Sequence, residues 1–300
     1  MTSTALQNGL IVCTILGFAM MEWTSRRYKQ TVVANGNDAK LELLMFISLL
    51  AVSQPLAFLG ATKLCTWLMP DMHGALVGLP WWAWLAMILV ADDMTQYWWH
   101  RASHSPLMWP LHRAHHSAKY MSIRITYRNN FFYYLMMPGL WMAGVLTYLG
   151  VNPWGYAVYF VVKIAVILGA HSAWRWDEPL YRIKALHPLM WVLERTISTP
   201  ATHSAHHAIT NLDGIGHYKG NYGNLLFVWD MIFGTAKITR QYPKSVGLMD
   251  DTLFGEERWY HQMFYPLLQS KREHSALKFG GVAYEDPPQD EQPAAALSKA

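Results

Sequence analysis

The chain has 300 residues, 52% of them hydrophobic and only 15% charged, with a formal net charge of +4. Soluble domains carry roughly 25% charged residues, so an ordinary soluble domain is excluded and a membrane setting is expected. A modest positive balance is ordinary for a membrane protein with a basic cytoplasmic face, and it implies no nucleic-acid partner.

In chain order, five apolar stretches approach the roughly 20 residues that cross a hydrocarbon core. They are Leu6–Trp23, Leu41–Trp67 (continuous or broken near Pro55), Pro80–Trp99, Phe131–Gly150 and Trp154–Ala173. Arg26, Arg27 and Lys29 follow the first stretch. A signal peptide carries its basic residues before the apolar run, so this one reads as a retained anchor. Arg26, Arg27, Lys29 and Lys40 lie in one connection, and Arg101, Arg113, Lys119, Arg124 and Arg128 in another, whereas Pro70–Leu79 and Val151–Pro153 contain no basic residue. Placing the basic connections in the cytoplasm puts the N-terminus outside and everything after Trp174 inside. The expectation is an all-α, multi-pass integral membrane protein with about four to six transmembrane helices. One domain spans 1–283, and a disordered tail containing Asp286-Pro287-Pro288 covers 284–300.

Eight of the fourteen histidines fall in three clusters: His100 and His104; His112, His115 and His116; His203, His206 and His207. About 0.03 matches to H-x2-H-H are expected by chance at this histidine content, against two present. Residues three and four apart are neighbours on a helix, so each cluster can aim several imidazoles, the commonest metal-ligating side chains, at one point. The topology brings all three clusters to one face of the membrane. Eight imidazoles exceed the four ligands of a tetrahedral zinc and suit two metal ions. His171, at the end of the fifth stretch, is the candidate for a further ligand, and His187, between Leu186 and Pro188, competes with it. Nitrogen ligands alone do not choose iron over zinc; the lipid setting favours redox chemistry on an unactivated C–H bond. Asp93, two helical turns before His100, is expected to accept the free N–H of a ligand imidazole. Asp230 could do the same, and Asn221 could cap or orient the last helix. Cys13 and Cys65 are too few for an iron–sulfur cluster.

These residues resemble a known family. Asp93-x3-Tyr97-Trp98-Trp99-His100-Arg101-x2-His104 looks like its first box, Leu111-His112-Arg113-Ala114-His115-His116-Ser117 its second and His203-Ser204-Ala205-His206-His207 its third. Asn221-Tyr222-Gly223 with Trp229-Asp230-x2-Phe233-Gly234-Thr235 is similar to the closing signature. The family is the fatty acid hydroxylase/sterol desaturase superfamily of integral-membrane di-iron enzymes, and the similarity runs from about 89 to 235. Tyr-Trp-x-His-Arg, the position of Arg128 and the Asn-Tyr-Gly box look closest to its alkylglycerol monooxygenase-like branch, although the interval from His171 to His203 is longer than that branch suggests.

The resemblance implies a cytoplasmic cap of histidine-bearing helices and two irons that activate O2 to hydroxylate or desaturate a lipid. The eight clustered histidines would be ligands, with His171 an additional one. No side chain beyond the metal centre is expected to act as acid or base. Electrons must come from an external reductase, cytochrome, ferredoxin or reduced pterin, because the chain has no haem or flavin motif. Two readings from other classes compete: a membrane metal-binding or transport protein, and a zinc-dependent membrane hydrolase. A transporter should spread its histidines along a path through the membrane, and a hydrolase needs a catalytic acid/base beside its metal.

Overall fold

The computed structural model describes residues 3–32 and 35–282; the expected tail at 284–300 and the end of the expected domain at 283 lie outside them. Among the described residues all regular structure is helical, and β pairing is limited to two isolated bridges, Ile197 with Leu226 and Ala208 with Val246.

Three helical stretches are long and apolar enough to cross a membrane: Ala5–Thr24, Gly36–Leu68 and Pro153–His171. Leu10, Leu16, Leu43, Leu59, Val158 and Val162 on these stretches are exposed, as befits lipid-facing surfaces of an integral membrane protein. Helix α1 (Ser3–Thr24) lies along α10 (Pro153–His171). Pro55 does not break the second stretch. Helix α3 (Gly36–Ser48) passes through one π-turn, Leu49–Ser53, into α4 (Gln54–Leu68), with Pro55 in the first turn of α4. A proline inside a helix lacks a donor N–H and crowds the carbonyl four residues back; widening the preceding turn accommodates both effects without ending the helix.

The other two expected spans take different forms. Phe131–Gly150 divides into α8 (Phe131–Met136) and α9 (Pro138–Tyr148). Met137 precedes a proline and is extended at φ −63°, ψ 118°, since the proline ring disfavours helical geometry in the residue before it. The 11 residues of α9 reach only about 16 Å at 1.5 Å per residue, roughly half of a 30 Å hydrocarbon core. Helix α9 lies tightly on α4, where a Cβ on Gly144 would stand 2.6 Å from the Phe58 carbonyl oxygen, so glycine permits the close approach.

Pro80–Trp99 becomes α5 (Trp81–Ile88), a π-turn at Leu89–Met94 and α6 (Thr95–Ser103). The π-turn adds a residue to the helical register. Asp92, eight residues before His100, therefore lines the same cavity as Gln96 and His100. Asp93, the residue that ideal α-helical spacing assigns to that face, is directed instead at Trp229 and Leu226.

Short helices gather at the ends of α6 and α10. They include α7 (Trp109–His116) and α13 (Pro200–His206), each with proline in its first turn, and α13 also has a capping box between Thr199 and Thr202. Buried charges brace this layer. Arg128 Nε donates to the Ala114 carbonyl at 2.8 Å and a guanidinium nitrogen to Ser117 Oγ at 2.7 Å, while Asp38 pairs with it from α3. Arg113 is fully buried against Asp250 and Asp251. Two of the basic residues counted for orientation are thus internal ion pairs. Glu22, also buried, accepts from Ile123 N at 2.9 Å, Ala173 N at 2.8 Å and Ser122 Oγ at 2.8 Å, which clamps the end of α1 to the chain just beyond His171.

Candidate metal centre

Four helices deliver nine imidazoles to one place. His100 and His104 come from the end of α6, and His112, His115 and His116 from α7. His171 is the last residue of α10, and His203, His206 and His207 come from α13 and its C-cap. They separate into two groups, His100/His104/His112/His116/His206 and His115/His171/His203/His207, with the facing nitrogens of each group within 4.8 Å of one another. Each H-x2-H-H motif straddles the two groups. The i, i+4 pair His112/His116 serves the first and His115 the second; on α13, His203/His207 serves the second and His206 the first. One helical turn separates i from i+4 on the same face, and the residue between them points to the neighbouring site.

The hydrogen bonds fix which ring nitrogens are free. A carbonyl oxygen can only accept, so a ring nitrogen bonded to one carries the proton. His100 Nδ1 donates to the Tyr222 carbonyl at 2.7 Å and His206 Nδ1 to the Gly220 carbonyl at 2.7 Å. His115 Nδ1 donates to the Ile125 carbonyl at 3.1 Å and His171 Nδ1 to the Ile167 carbonyl at 2.8 Å. In the neutral rings all four Nε2 atoms are bare lone pairs. Yet His206 Nε2 lies 3.0 Å from His100 Nε2, and His171 Nε2 lies 3.2 Å from His115 Nε2. Two lone pairs at that distance repel unless a cation stands between them, and each group contains one such pair. Two nitrogens, each about 2.1 Å from a common metal and at right angles, would be about 3.0 Å apart. The residues therefore fit two metal ions, five nitrogens for one and four for the other.

Burial reinforces the neutral form. Desolvation, with the neighbouring imidazoles adding to it, holds His104, His116, His203 and His207 well below the usual histidine range. Desolvation likewise lowers His112, His115 and His206, against the pull of their hydrogen bonds. Neutral imidazole is the ligating form.

The supporting groups differ from those expected. Carbonyls, rather than carboxylates, orient the imidazoles, together with Asn129, whose Oδ1 lies 3.0 Å from His112 Nδ1. Asp93 accepts from Trp229 Nε1 at 2.8 Å and Leu226 N at 3.2 Å and takes no imidazole N–H, because the π-turn rotates it away. Asp230 accepts from Tyr222 N at 2.8 Å, Gly223 N at 2.6 Å and Thr235 Oγ1 at 2.6 Å. It acts one step removed, by holding the turn whose Tyr222 carbonyl fixes His100. A Cβ on Gly223 would fall 2.8 Å from Asp230 Oδ2, which explains the glycine there. Asn221 has φ +56° and does not cap a helix; its amide donates to the Thr202 and Lys237 carbonyls and ties this turn to α13 beside His203.

His187 stands outside both groups, at the start of α12 (His187–Thr196), with Nε2 donating to the Tyr181 carbonyl at 2.9 Å. The structure thus gathers His171 and leaves His187 apart. His73 rests edge-on against Tyr148, and His274 packs at a tilt against Phe254. Glu22, Asn129 and the orienting carbonyls carry no signature in the sequence, as a carbonyl belongs to every residue and a lone Glu or Asn to no motif.

The histidines meet a cavity of about 540 Å³ on their membrane side, where His100, His112, His115 and His171 form one wall. Leu49, Leu140, Phe160, Ile164 and Ile167 also line it. A separate, smaller cavity of about 100 Å³ is lined by His104 and His116, beside Trp109 and Lys219.

A model of the fatty acid hydroxylase family matches residues 84–235, just over half of the 300-residue chain, and covers all nine of these histidines. The chain belongs to the fatty acid hydroxylase family. Among its curated relatives, alkylglycerol monooxygenase from Homo sapiens is 28% identical over 187 residues, covering 60% of this chain and 37% of that protein. The Xenopus tropicalis alkylglycerol monooxygenase is 29% identical over 166 residues, 53% of this chain and 32% of its own length. A fatty acid hydroxylase from a Lecanicillium species is 28% identical over 177 residues, 54% of this chain and 45% of its own. The chain thus spans less than half the length of these relatives. The two alkylglycerol monooxygenases match the likeness to that branch read from the boxes. No solved structure matches.

Proposed function

We propose that this protein is an O2-dependent, membrane-bound di-iron oxidoreductase that hydroxylates an alkyl C–H bond of a lipid. The observation that carries the reading is the pairing of bare Nε2 atoms, one pair per group, beside a largely apolar cavity. Bound iron, supplied with electrons by an external donor, would provide the oxidising power that side chains lack. His100, His104, His112, His116 and His206 would hold one ion, and His115, His171, His203 and His207 the other. The carbonyls of Tyr222, Gly220, Ile125 and Ile167 keep the ligating nitrogens bare and aimed. Leu140, Phe160, Ile164 and Ile167 exclude water and hold the alkyl chain against the imidazole wall, which limits reaction to the carbons that reach it.

Hydroxylation is favoured over desaturation because the named relatives are monooxygenases and a hydroxylase. Neither histidine group contains a carboxylate, and Asp93 and Asp230 are engaged by backbone, indole and hydroxyl donors; this argues against a zinc hydrolase. The metal site would lie on the cytoplasmic side with the N-terminus outside, supported by the exposed Arg26, Lys29 and Lys40 of the first basic connection. The smaller cavity at His104 and His116 is the proposed approach for the electron donor.

Metal analysis of protein loaded anaerobically tests the reading, combined with mass spectrometry of lipid extracts. Two irons per chain and a product 16 mass units heavier are expected. Zinc alone, with no lipid altered, would overturn it; a loss of 2 mass units would replace hydroxylation by desaturation.

A further inference from the structure

Opposite the histidine wall, the large cavity meets a charged pair on two apolar helices. Lys163 Nζ donates to Asp92 Oδ2 at 2.7 Å, and Tyr159 OH donates to the same oxygen at 2.9 Å. Both charged residues are largely buried, and both line the cavity together with Gln7, Gln54 and Gln96. Along α10, Phe160, Lys163, Ile164, Ile167 and His171 line one continuous wall. Lys163 is eight residues from His171, and Asp92 eight from His100, so the pair sits about 12 Å from the imidazoles at 1.5 Å per residue. The cavity runs from a metal-binding end, past an apolar middle, to a polar end.

An ion pair in such a place is poorly explained as glue. Charges in a membrane segment are costly, and replacing a buried pair by apolar side chains is often neutral or stabilising. The ammonium has three N–H donors, and Asp92 uses one. The absence of a side chain at Gly139 makes room for Asp92, since a Cβ there would stand only 2.8 Å from its Oδ1. Because Asp92 already balances the ammonium, a second carboxylate would meet like charge, whereas a neutral oxygen could accept from Lys163 without repulsion.

We infer that the Asp92–Lys163 pair binds a neutral oxygen group, a hydroxyl or carbonyl, on an alkyl substrate whose reacting carbon lies about 12 Å away at the histidine wall. This rests on the lipid-oxygenase reading and adds a substrate class to it: chains bearing a neutral polar group remote from the carbon that is oxidised.

Equilibrium binding of tritiated 1-hexadecanol, hexadecane and hexadecanoate to the purified full chain in nanodiscs tests this without turnover. Hexadecanol should bind about tenfold or more tighter than either competitor, as expected for a hydrogen bond to a charged donor. The double variant Asp92→Leu/Lys163→Met should abolish that preference. Asp92→Asn/Lys163→Gln, which keeps an N–H donor, should retain part of it and guards against misfolding of the apolar pair. Equal binding of alcohol and alkane by the wild type, or a preference that survives the Leu/Met change, overturns the inference. A chain that prefers the alcohol but neither holds iron nor oxidises lipid would overturn the oxygenase reading alone. One that oxidises lipid without the preference would overturn only the present inference.

Discussion

The two histidine groups differ in what holds them. In the first, the closing turn does most of the orienting: His100 and His206 donate to the Tyr222 and Gly220 carbonyls, and His112 faces Asn129. That turn is in turn held by Asp230 and Asn221. The second group leans on the membrane helices. His171 donates to the Ile167 carbonyl one turn back on α10, and His115 to the Ile125 carbonyl in a segment that Glu22 clamps at Ile123. One site therefore depends on a loop far along the chain, the other on the packing of α1 and α10. With five donors against four, they should also differ in tolerance to losing one.

The largest effects should come from the ligands themselves. His115→Ala leaves three nitrogens in the second group and should release that ion, with activity falling by about 100-fold or more, since even supporting groups are worth 10–100-fold. His206→Ala leaves four in the first and should also abolish turnover. Iron per chain, measured on protein that still inserts in membranes, separates the two: His115→Ala should retain one iron. Full activity in either variant would break the proposed site.

Loosening the closing turn should give the next largest effect, on the first group alone. Asp230→Ala removes the acceptor for Tyr222 N and Gly223 N, and iron affinity at the first site should fall about 10-fold or more while the second is spared. Equal loss at both sites would erase the distinction drawn here. Glu22→Ala should act in the opposite sense, through the second group and through stability. It strands buried donors at Ile123 and Ala173, a cost of about 1–3 kcal/mol for each donor left unsatisfied, readable as a lower Tm in detergent with first-site iron retained.

The smallest effect should be at His187. His187→Ala loses one partly buried hydrogen bond to the Tyr181 carbonyl and should change stability by about 1 kcal/mol or less, with iron content unchanged. His171→Ala, measured beside it, should lose second-site iron. Reversed results would show that His187, and not His171, is the ninth ligand.

Much of the site was legible because its signal is local. Two H-x2-H-H motifs and His100-x3-His104 stand out against any background, and i, i+3 and i, i+4 spacing puts such residues on one helical face whatever the rest of the chain does. Three of the five apolar stretches also appear as helices of membrane-crossing length. The departures lie where a helix is disturbed. A π-turn adds one residue to the register of Leu89–Met94, which puts Asp92 instead of Asp93 on the cavity face shared with His100. Pro138 divides the fourth stretch, whereas a π-turn lets Pro55 pass in the second. Single-residue changes in helical register depend on neighbours packed against the turn, and spacing rules assume an undisturbed helix.

By itself the sequence determined the helical, membrane-bound character of the chain and the identity of its clustered imidazoles, since apolar length and helical periodicity are properties of a segment. Only the tertiary structure decided how nine histidines divide into five and four, why His171 joins them and His187 does not, and which carbonyls leave the facing ring nitrogens bare. Those outcomes depend on contacts between residues up to 122 positions apart, as between His100 and Tyr222. A backbone carbonyl becomes a specific partner only when folding brings it to a particular ring.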